Sequence, residues 1–529
     1  MGDYCPLKPS QVFLREATGL VRGFSWFDAF MISSAGIGYG IFGFASTINY
    51  VTTANPGSDP LLSGALGWLL SIPPALLYGL LASVFSRSGA DYVWTSRLVG
   101  SAVGFVGSWA LMIMLCISLG MTGALVFSTS MLTDTVTAFA GFLGRPDLLS
   151  LSTTLSQPPW LFVTGIMLLV VTGLVAGLGC RVVSRAMVIM TGLIFITSIV
   201  SFYVLATSTH ADFVNALSGY AGTSISYQGV IKDAQASGWS LVPITWSATI
   251  PSIPLGYVIY LGFCNSALAA GEVRQAKRSM PLAVIGSLVP AVIINVVGTY
   301  LCVRAFGIQF LYAAVNDPKW PLPAAPWATL FVSMLAKDVV TLSLIQVGWL
   351  AWAFWWSVSL YIMIIRYIFA FSFDRVLPTM FADVSSRFHM PVKAMVVSII
   401  LSTIAFPIGF YVTYIGANLN TVAISSILYI LGAITAIILP IKRKSLAEEL
   451  PGKWRIPFIS IVGAINLVLS AYILFLSVTV PAVGPSTPVS AAELAAIYGS
   501  GILLFIVRYR YLKKKGLDLR LVFNEIPPE

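Results

Sequence analysis

Ser33-Ser34-Ala35-Gly36-Ile37-Gly38-Tyr39-Gly40-Ile41-Phe42 lies in the middle of an apolar run, about 25–53, long enough to cross a bilayer. Three glycines and two serines within eight residues are helix-breaking chemistry at a depth where no water reaches the backbone. Irregular backbone is tolerated there only where it lines a cavity or is buried in protein. A second run, about 250–271, is interrupted in the same way by Pro251-Ser252-Ile253-Pro254-Leu255-Gly256 and then Gly262-Phe263-Cys264-Asn265-Ser266. Where a helix unwinds, the amides that open its second half favour an anion and the carbonyls that close its first half favour a cation. A zwitterion supplies both charges. Glycine also permits close helix packing, and Pro73-Pro74 in another run shows that a breaker can be only a kink.

The chain around these two stretches has 529 residues, 57% apolar and 9% charged, with a mean hydropathy of +0.89. A soluble domain is roughly a quarter charged, so a water-soluble globule is excluded. Twelve runs read as spans, at about 25–53, 62–85, 98–131, 160–180, 186–207, 250–271, 282–304, 342–372, 394–413, 420–441, 458–480 and 489–510. Alternating sides along the chain puts 25 of the 30 Lys and Arg on the side of the N-terminus. They include Lys8, Arg15, Lys453, Arg455 and Arg520; only Arg145, Lys232, Arg304, Lys319 and Lys337 fall opposite. Excess Lys and Arg mark the cytoplasmic face, so a multi-pass protein of the cell membrane with both termini inside is expected. The net charge of +10 is then a topology signal rather than a nucleic-acid surface. Met1–Arg22 is polar and reads as a cytoplasmic N-terminus, not a cleaved signal. Five cysteines give no disulfide framework.

The interrupted spans are the first and the sixth, five spans apart, as in two inverted repeats of five helices. The expected fold is all-α and polytopic. Residues 23–207 form one repeat and 250–441 the other, with an extracellular loop at 208–249, peripheral helices at 458–510 and a cytoplasmic tail at 511–529. The 208–249 loop, rich in Ser, Gly and Tyr, reads equally as a lid or an insertion. Ala324–Lys337 reads as an interfacial or re-entrant helix. Trp349, Trp352, Trp355 and Trp356, spaced by three and four, read as a helix-packing face rather than a substrate platform. Lys442-Arg443-Lys444 and Lys513-Lys514-Lys515 read as anchors for anionic lipid. An intramembrane enzyme would need paired ionisable groups in the spans, and a channel a continuous polar pore. The sequence shows neither.

Four further stretches resemble a known family. Gly38-Tyr39-Gly40-Ile41-Phe42 is similar to the Gly-Ser-Gly-Ile-Phe of the amino acid–polyamine–organocation transporters. Gly89-Ala90-Asp91-Tyr92 is similar to their Gly-Gly-Asp-Tyr. Gly271-Glu272-Val273 with Lys277-Arg278-Ser279-Met280-Pro281 is similar to their Glu-Glu-Val…Arg-Thr-Ile-Pro, and Arg366, Asp374 and Leu377-Pro378 match the motif after their eighth span. The resemblance covers about residues 14–400. It implies a leucine-transporter-like 5+5 fold and transport of amino acids by alternating access, as a monomer or homodimer, with no cofactor beyond a coupling ion. It also implies that amides of Tyr39 and Gly40 in the Gly36–Gly40 motif bind the substrate carboxylate. Carbonyls near Gly36 and of Tyr260 and Phe263 would hold the amino group, Gly38 completes the motif, and Tyr260 stands as an aromatic gate.

Two departures bear on the substrate. Tyr39 replaces the family serine, so a large side chain would crowd the site or join it, and Leu261 stands where relatives often carry a polar or acidic residue. With no Asp, Glu, His or Lys expected inside the spans, a neutral, apolar or small amino acid is favoured over a cationic one. The lysine that substitutes for sodium in some proton-coupled relatives aligns with Ile194. The resemblance therefore points to a sodium site made by the Ser34 and Ile37 carbonyls with Ser357 and Ser359. Proton coupling through Glu272 or a water, exchange, and a non-transporting amino-acid sensor are the alternatives.

Overall fold

The computed structural model describes residues 19–240, 242–410, 412–452, 456–479, 484–517, 519–525 and 527. Lys8, Arg15, Lys453 and Arg455 lie outside the described residues, as does the side chain of Arg520. Among the described residues twelve helices are long and apolar enough to span a membrane: Trp26–Ala54, Pro60–Val84, Ser101–Phe142, Trp160–Gly177, Cys180–Thr207, Trp246–Glu272, Ala276–Phe306, Val339–Phe373, Val392–Phe410, Tyr414–Lys442, Phe458–Thr479 and Pro488–Lys514. They are numbered here as spans 1 to 12. Short polar side chains start several of them. Ser25 and Asp28 form a reciprocal cap on span 1, and Asp59 accepts from the Leu61 and Leu62 amides ahead of span 2. Asp338 does the same for span 8.

Span 3 is longer than its hydropathy suggested, running to Phe142 instead of ending near 131. Its second half is polar, but those polar groups are buried against protein. Ser128 meets Thr164 at 2.8 Å and Thr137 meets Ser152 at 3.1 Å. Wider π-helical turns occupy Leu119–Leu125 and Phe127–Met131. Asp134 therefore stands inside a span, which corrects the expectation that no acidic side chain is embedded.

Spans 1 and 6, 2 and 7, 3 and 8, and 4 and 9 are in contact, and span 5 lies on span 8 as span 10 lies on span 3. Exchanging spans 1–5 with spans 6–10 in order leaves the first four pairings unchanged and interchanges 5–8 with 10–3, as the inverted-repeat arrangement requires. Span 11 packs chiefly on span 10 and span 12 on span 3, both with mostly exposed apolar surfaces.

The face on which the N-terminus lies is stitched together by buried charge. Glu272, at the end of span 6, holds Arg366 of span 8 through two bonds of 2.8 and 2.9 Å. Arg97 holds Asp374 at 2.7 Å. Phe24 and Val273 pair as a short bridge that ties the entry of span 1 to the exit of span 6. The last described residues lie on the same face, where Arg87 and Arg443 donate to the Pro527 and Asn524 carbonyls. On the opposite face the 208–249 segment packs on the 305–341 segment. Phe213 sits among Phe306, Phe310 and Phe331, and Tyr227 stacks on Phe310. The expected short helix is present as Ala328–Met334, with all seven residues buried in protein.

Asp91, in the connection between spans 2 and 3, is buried under Tyr367 (2.8 Å) and Tyr78 (3.4 Å). Burial pushes its carboxyl up from 3.8 to about 6, against the lowering effect of those hydroxyls, the Tyr92 amide and Ser108. The folded chain thus keeps a proton that the unfolded chain releases. The stability this adds is complete below about pH 4 and is lost as pH rises toward 6. The unfolding midpoint of Asp91→Asn is expected to fall less than that of the wild type between those values. Parallel curves would show that Asp91 does not titrate there.

Candidate functional site

Span 1 is broken as its glycines require. The helix Trp26–Gly36 ends where Ile37 turns extended, Tyr39 is extended as well, and Gly40 restarts the helix at a φ of +67°, which L side chains rarely adopt. The exposed peptides find partners: the Gly38 amide donates to Ile259 O (2.8 Å) and Asn295 Nδ2 donates to Gly38 O (2.9 Å). Span 6 is discontinuous in a different way from the unwinding expected near Gly262. It is α-helical over Trp246–Tyr257 and then tightens into a 3₁₀-helix over Val258–Glu272. Fifteen residues of 3₁₀-helix are far beyond the usual three or four.

Between the two discontinuities lies a chamber of about 80 Å³. Span 1 contributes Gly36, Gly38, Phe42 and Tyr50, and span 6 contributes Val258, Ile259, Leu261, Gly262, Cys264 and Asn265. Leu111, Leu115 and Ser118 of span 3, Trp352, Trp356, Leu360 and Met363 of span 8, and Asn418, Thr421 and Ser425 of span 10 complete it. No Asp, Glu, Lys, Arg or His is among the lining residues. Hydrogen bonding there is left to amide and hydroxyl groups and to the backbone of the break.

Of the residues assigned from the motifs, Gly36 and Gly38 reach the chamber. Gly40, Tyr39, Tyr260 and Phe263 are not among its lining residues. The Tyr39 ring is turned toward Phe195 and Trp355, at 5.7 and 5.9 Å, and its hydroxyl donates to Ser287 O. It therefore neither crowds the chamber nor joins it. Its amide donates to Ile37 O at 2.9 Å, within the break itself. In a 3₁₀-helix residues three apart share a face, so Tyr260, Phe263 and Ser266 point together, away from the chamber. Ser33 Oγ donates to the Phe263 carbonyl at 2.7 Å, and the Phe263 ring stacks on Tyr429.

The place expected for Tyr260 as a gate is held by Phe42, which stacks on Trp352 at 3.2 Å. Behind this pair, on the face away from the N-terminus, come Trp349 (5.7 Å from Phe42), Trp327 (5.6 Å from Trp349) and the hydrogen-bonded Tyr50 and Tyr414. The tryptophan stripe thus divides: Trp352 and Trp356 line the chamber, while Trp349 and Trp355 pack. Trp327, from the second long loop, packs behind Trp349 on this side of the chamber. Trp352→Ala is expected to lower ligand affinity about fivefold through loss of roughly 1 kcal/mol of aromatic contact. Unchanged affinity by isothermal titration would show that the Phe42–Trp352 wall does not meet the ligand.

Three of the four oxygens assigned to sodium already have hydrogen-bond partners. Ile37 O already accepts from the Tyr39 amide and from Trp352 Nε1 (3.4 Å), and Ser34 O accepts from the Ile37 amide (3.0 Å). Ser359 Oγ donates to Ile32 O (2.8 Å) and accepts from Asn265 Nδ2 (2.8 Å). Ser357 Oγ faces Gly123 of span 3. Ile194 is fully buried, with its side chain against Gly40.

Comparison with known proteins agrees with this architecture. The chain is 25% identical over 459 residues to the methylthioribose transporter of Bacillus subtilis, covering 85% of this chain and 87% of that protein. It is 22% identical over 431 residues to the glutamate/serine transporter AimA of the same organism, covering 79% and 71%. It is 21% identical over 434 residues to the branched-chain amino acid permease BcaP of Lactococcus lactis, covering 79% and 82%. The sequence model of the amino acid permeases matches residues 24–502, nearly the whole chain. With two discontinuous spans meeting at a chamber inside a twelve-span helical body, the chain belongs to the amino acid permease family.

Proposed function

We propose that this permease moves neutral amino acids across the cell membrane by alternating access, with the basic face and both termini in the cytoplasm. The observation that carries the substrate reading is the chamber itself: both discontinuities open onto it, and none of its lining residues is charged. Backbone of the break meets the α-amino and α-carboxyl groups. The side chain lies against Leu111, Leu115, Trp352, Trp356 and Met363. An unpaired charge at this depth costs about 3 kcal/mol on insertion scales, a factor of more than a hundred in affinity, so lysine, arginine and polyamines are disfavoured. The named cargo of the relatives includes neutral molecules (serine, branched-chain amino acids and methylthioribose) beside the charged glutamate, so the substrate reading rests on the chamber.

Alternating access then has two seals. The Phe42–Trp352 stack with Trp327 closes the outer side, and the Glu272–Arg366 and Arg97–Asp374 pairs close the inner one. The apolar outer surfaces of spans 11 and 12 face lipid or a second copy of the chain. A sodium-coupled cycle would use the Ser34 and Ile37 carbonyls with the Ser357 and Ser359 hydroxyls.

The test is a thermal-shift screen of the purified protein against the twenty amino acids and several amines, with sodium or potassium at fixed pH. A ligand at a hundred times its dissociation constant adds about 2.7 kcal/mol to the folded state. Neutral amino acids are expected to raise the midpoint, and lysine and putrescine to leave it in place. Equal shifts from lysine and leucine would overturn the substrate reading. Uptake undiminished when potassium replaces sodium would remove the sodium cycle.

A further inference from the structure

Asp134 is a carboxyl for which the reading above has no use. It sits in the outer part of span 3, 1% exposed, and among the described residues neither of its side-chain oxygens has a hydrogen-bond partner. Four elements pack on this stretch: the helix Leu148–Leu155, the buried helix Ala328–Met334, the turn Tyr220–Gly222 and the outer half of span 8. The two helices carry no titratable residue. The turn contributes Tyr220, whose hydroxyl donates to Ala138 O at 3.0 Å, one helical turn beyond Asp134. Span 8 contributes the side-chain amide of Gln346, which lies close enough to favour the carboxylate but makes no hydrogen bond of ordinary geometry with it. The charged groups at this end of the molecule are engaged elsewhere. Arg145 and Asp147 pair with each other at the surface, and Asp338 caps span 8 in solvent. No described Lys, Arg or His is paired with Asp134.

A lone carboxylate in such surroundings must take up a proton or a cation, because its ionised form has lost water and gained no counter-charge. The surroundings suit a proton. The nearby polar groups already bond one another: Thr135 Oγ1 donates to Gln346 Oε1 (2.7 Å), and Gln346 Nε2 donates to Ser333 Oγ (2.9 Å). They supply no ring of free oxygens for a metal ion.

The same groups connect the site to the outer seal. Ser333 lies on the short helix that Trp327 begins, and Gln346 is one turn before Trp349 on span 8; both tryptophans stand over the chamber. Thr329 Oγ1 on that helix and Trp349 Nε1 are also buried without partners. Unmet hydrogen bonds of this kind cost about 1–3 kcal/mol each. Several gathered at one place indicate partners made only when the short helix and the Tyr220 turn lift away and water reaches the carboxyl.

We propose that Asp134 is a proton-binding site, loaded from the outer side and emptied during the cycle, so that amino-acid movement is linked to protons. The proposal rests on the chain being a transporter of neutral amino acids. Its test uses the full-length protein in proteoliposomes with radiolabelled leucine and serine. With the outside more acid by one pH unit, a one-proton cycle accumulates substrate up to about tenfold. Wild type is expected to show most of that rise. Asp134→Asn, which mimics the protonated group, is expected to lose it while keeping exchange of internal for external amino acid at equal pH. Asp134→Glu is expected to restore it.

An Asn variant that responds to the gradient as wild type does would overturn the proposal, as would a wild type that exchanges but ignores the gradient. Should the Asn variant lose exchange as well, the Glu variant decides: a restored gradient response supports the site and an absent one overturns it. Wild type that exchanges neither amino acid would instead overturn the transport reading, and this proposal with it.

Discussion

Arg366→Ala is expected to destabilise the folded permease by about 3–5 kcal/mol and to abolish uptake. The guanidinium of Arg366 meets both carboxylate oxygens of Glu272 with side-chain exposures of 2% and 0%, and the Cys180 thiol donates to the same carboxylate at 3.4 Å. Taking away the arginine leaves a buried anion with one weak donor. That loss is larger than the pair's own net contribution, since forming it required stripping water from both ions. The double variant Glu272→Gln/Arg366→Met is therefore expected to recover most of the stability while remaining inactive, because a neutral seal has no reason to open and close in the same way. Thermal unfolding in detergent separates the two effects. A single variant within about 1 kcal/mol of wild type would show that the pair is not buried in the native protein.

Gly262→Ala is expected to lower uptake by a hundredfold or more. Gly36 and Gly262 bring the backbones of spans 1 and 6 into direct contact. A β-carbon on Gly262 would fall on the Gly36 peptide group, and one on Gly36 would fall on the Asn265 amide and within 2.7 Å of the Gly262 Cα. Backbone cannot step aside as the end of a long side chain can. The overpacking cost of roughly 3 kcal/mol must be met by separating the two spans at the chamber wall. Gly192→Ala in span 5, where nothing lies within 4 Å of an added β-carbon, is the matched control and is expected to transport normally. Equal uptake by the two variants would mean that the close approach is not needed in the cycle.

These two sites differ in how legible they were. The glycines and prolines announced breaks in spans 1 and 6, and the basic residues with the hydropathy gave twelve spans, with the starts of spans 5, 7 and 10 placed six residues late. The largest departure was span 3, whose Ser128–Thr137 segment is polar enough to look like a loop. Only the bonds it makes to Thr164 and Ser152 show it to be interior, and with it Asp134. The chamber was harder to read. Gly36 and Gly38 reach it, but Tyr260 and Phe263 were assigned by alignment, and a sequence gives no sign that Val258–Glu272 winds at three residues per turn. That change of pitch rotates Tyr260, Phe263 and Ser266 off the chamber and brings Leu261, Gly262, Cys264 and Asn265 onto it. Tyr39 was misread for a related reason. Its size was visible, but the extended backbone that turns it toward Ser287, Phe195 and Trp355 was not.

The long 3₁₀ segment also works as a ruler. Such a helix rises about 0.5 Å more per residue than an α-helix, so the fifteen residues from Val258 to Glu272 are stretched by about 7 Å relative to their relaxed length. Arg366 and the bridge to Phe24 together peg the stretched end. Slipping both pegs would let the segment telescope, shortening one wall of the permease by more than the width of a water molecule without unfolding it.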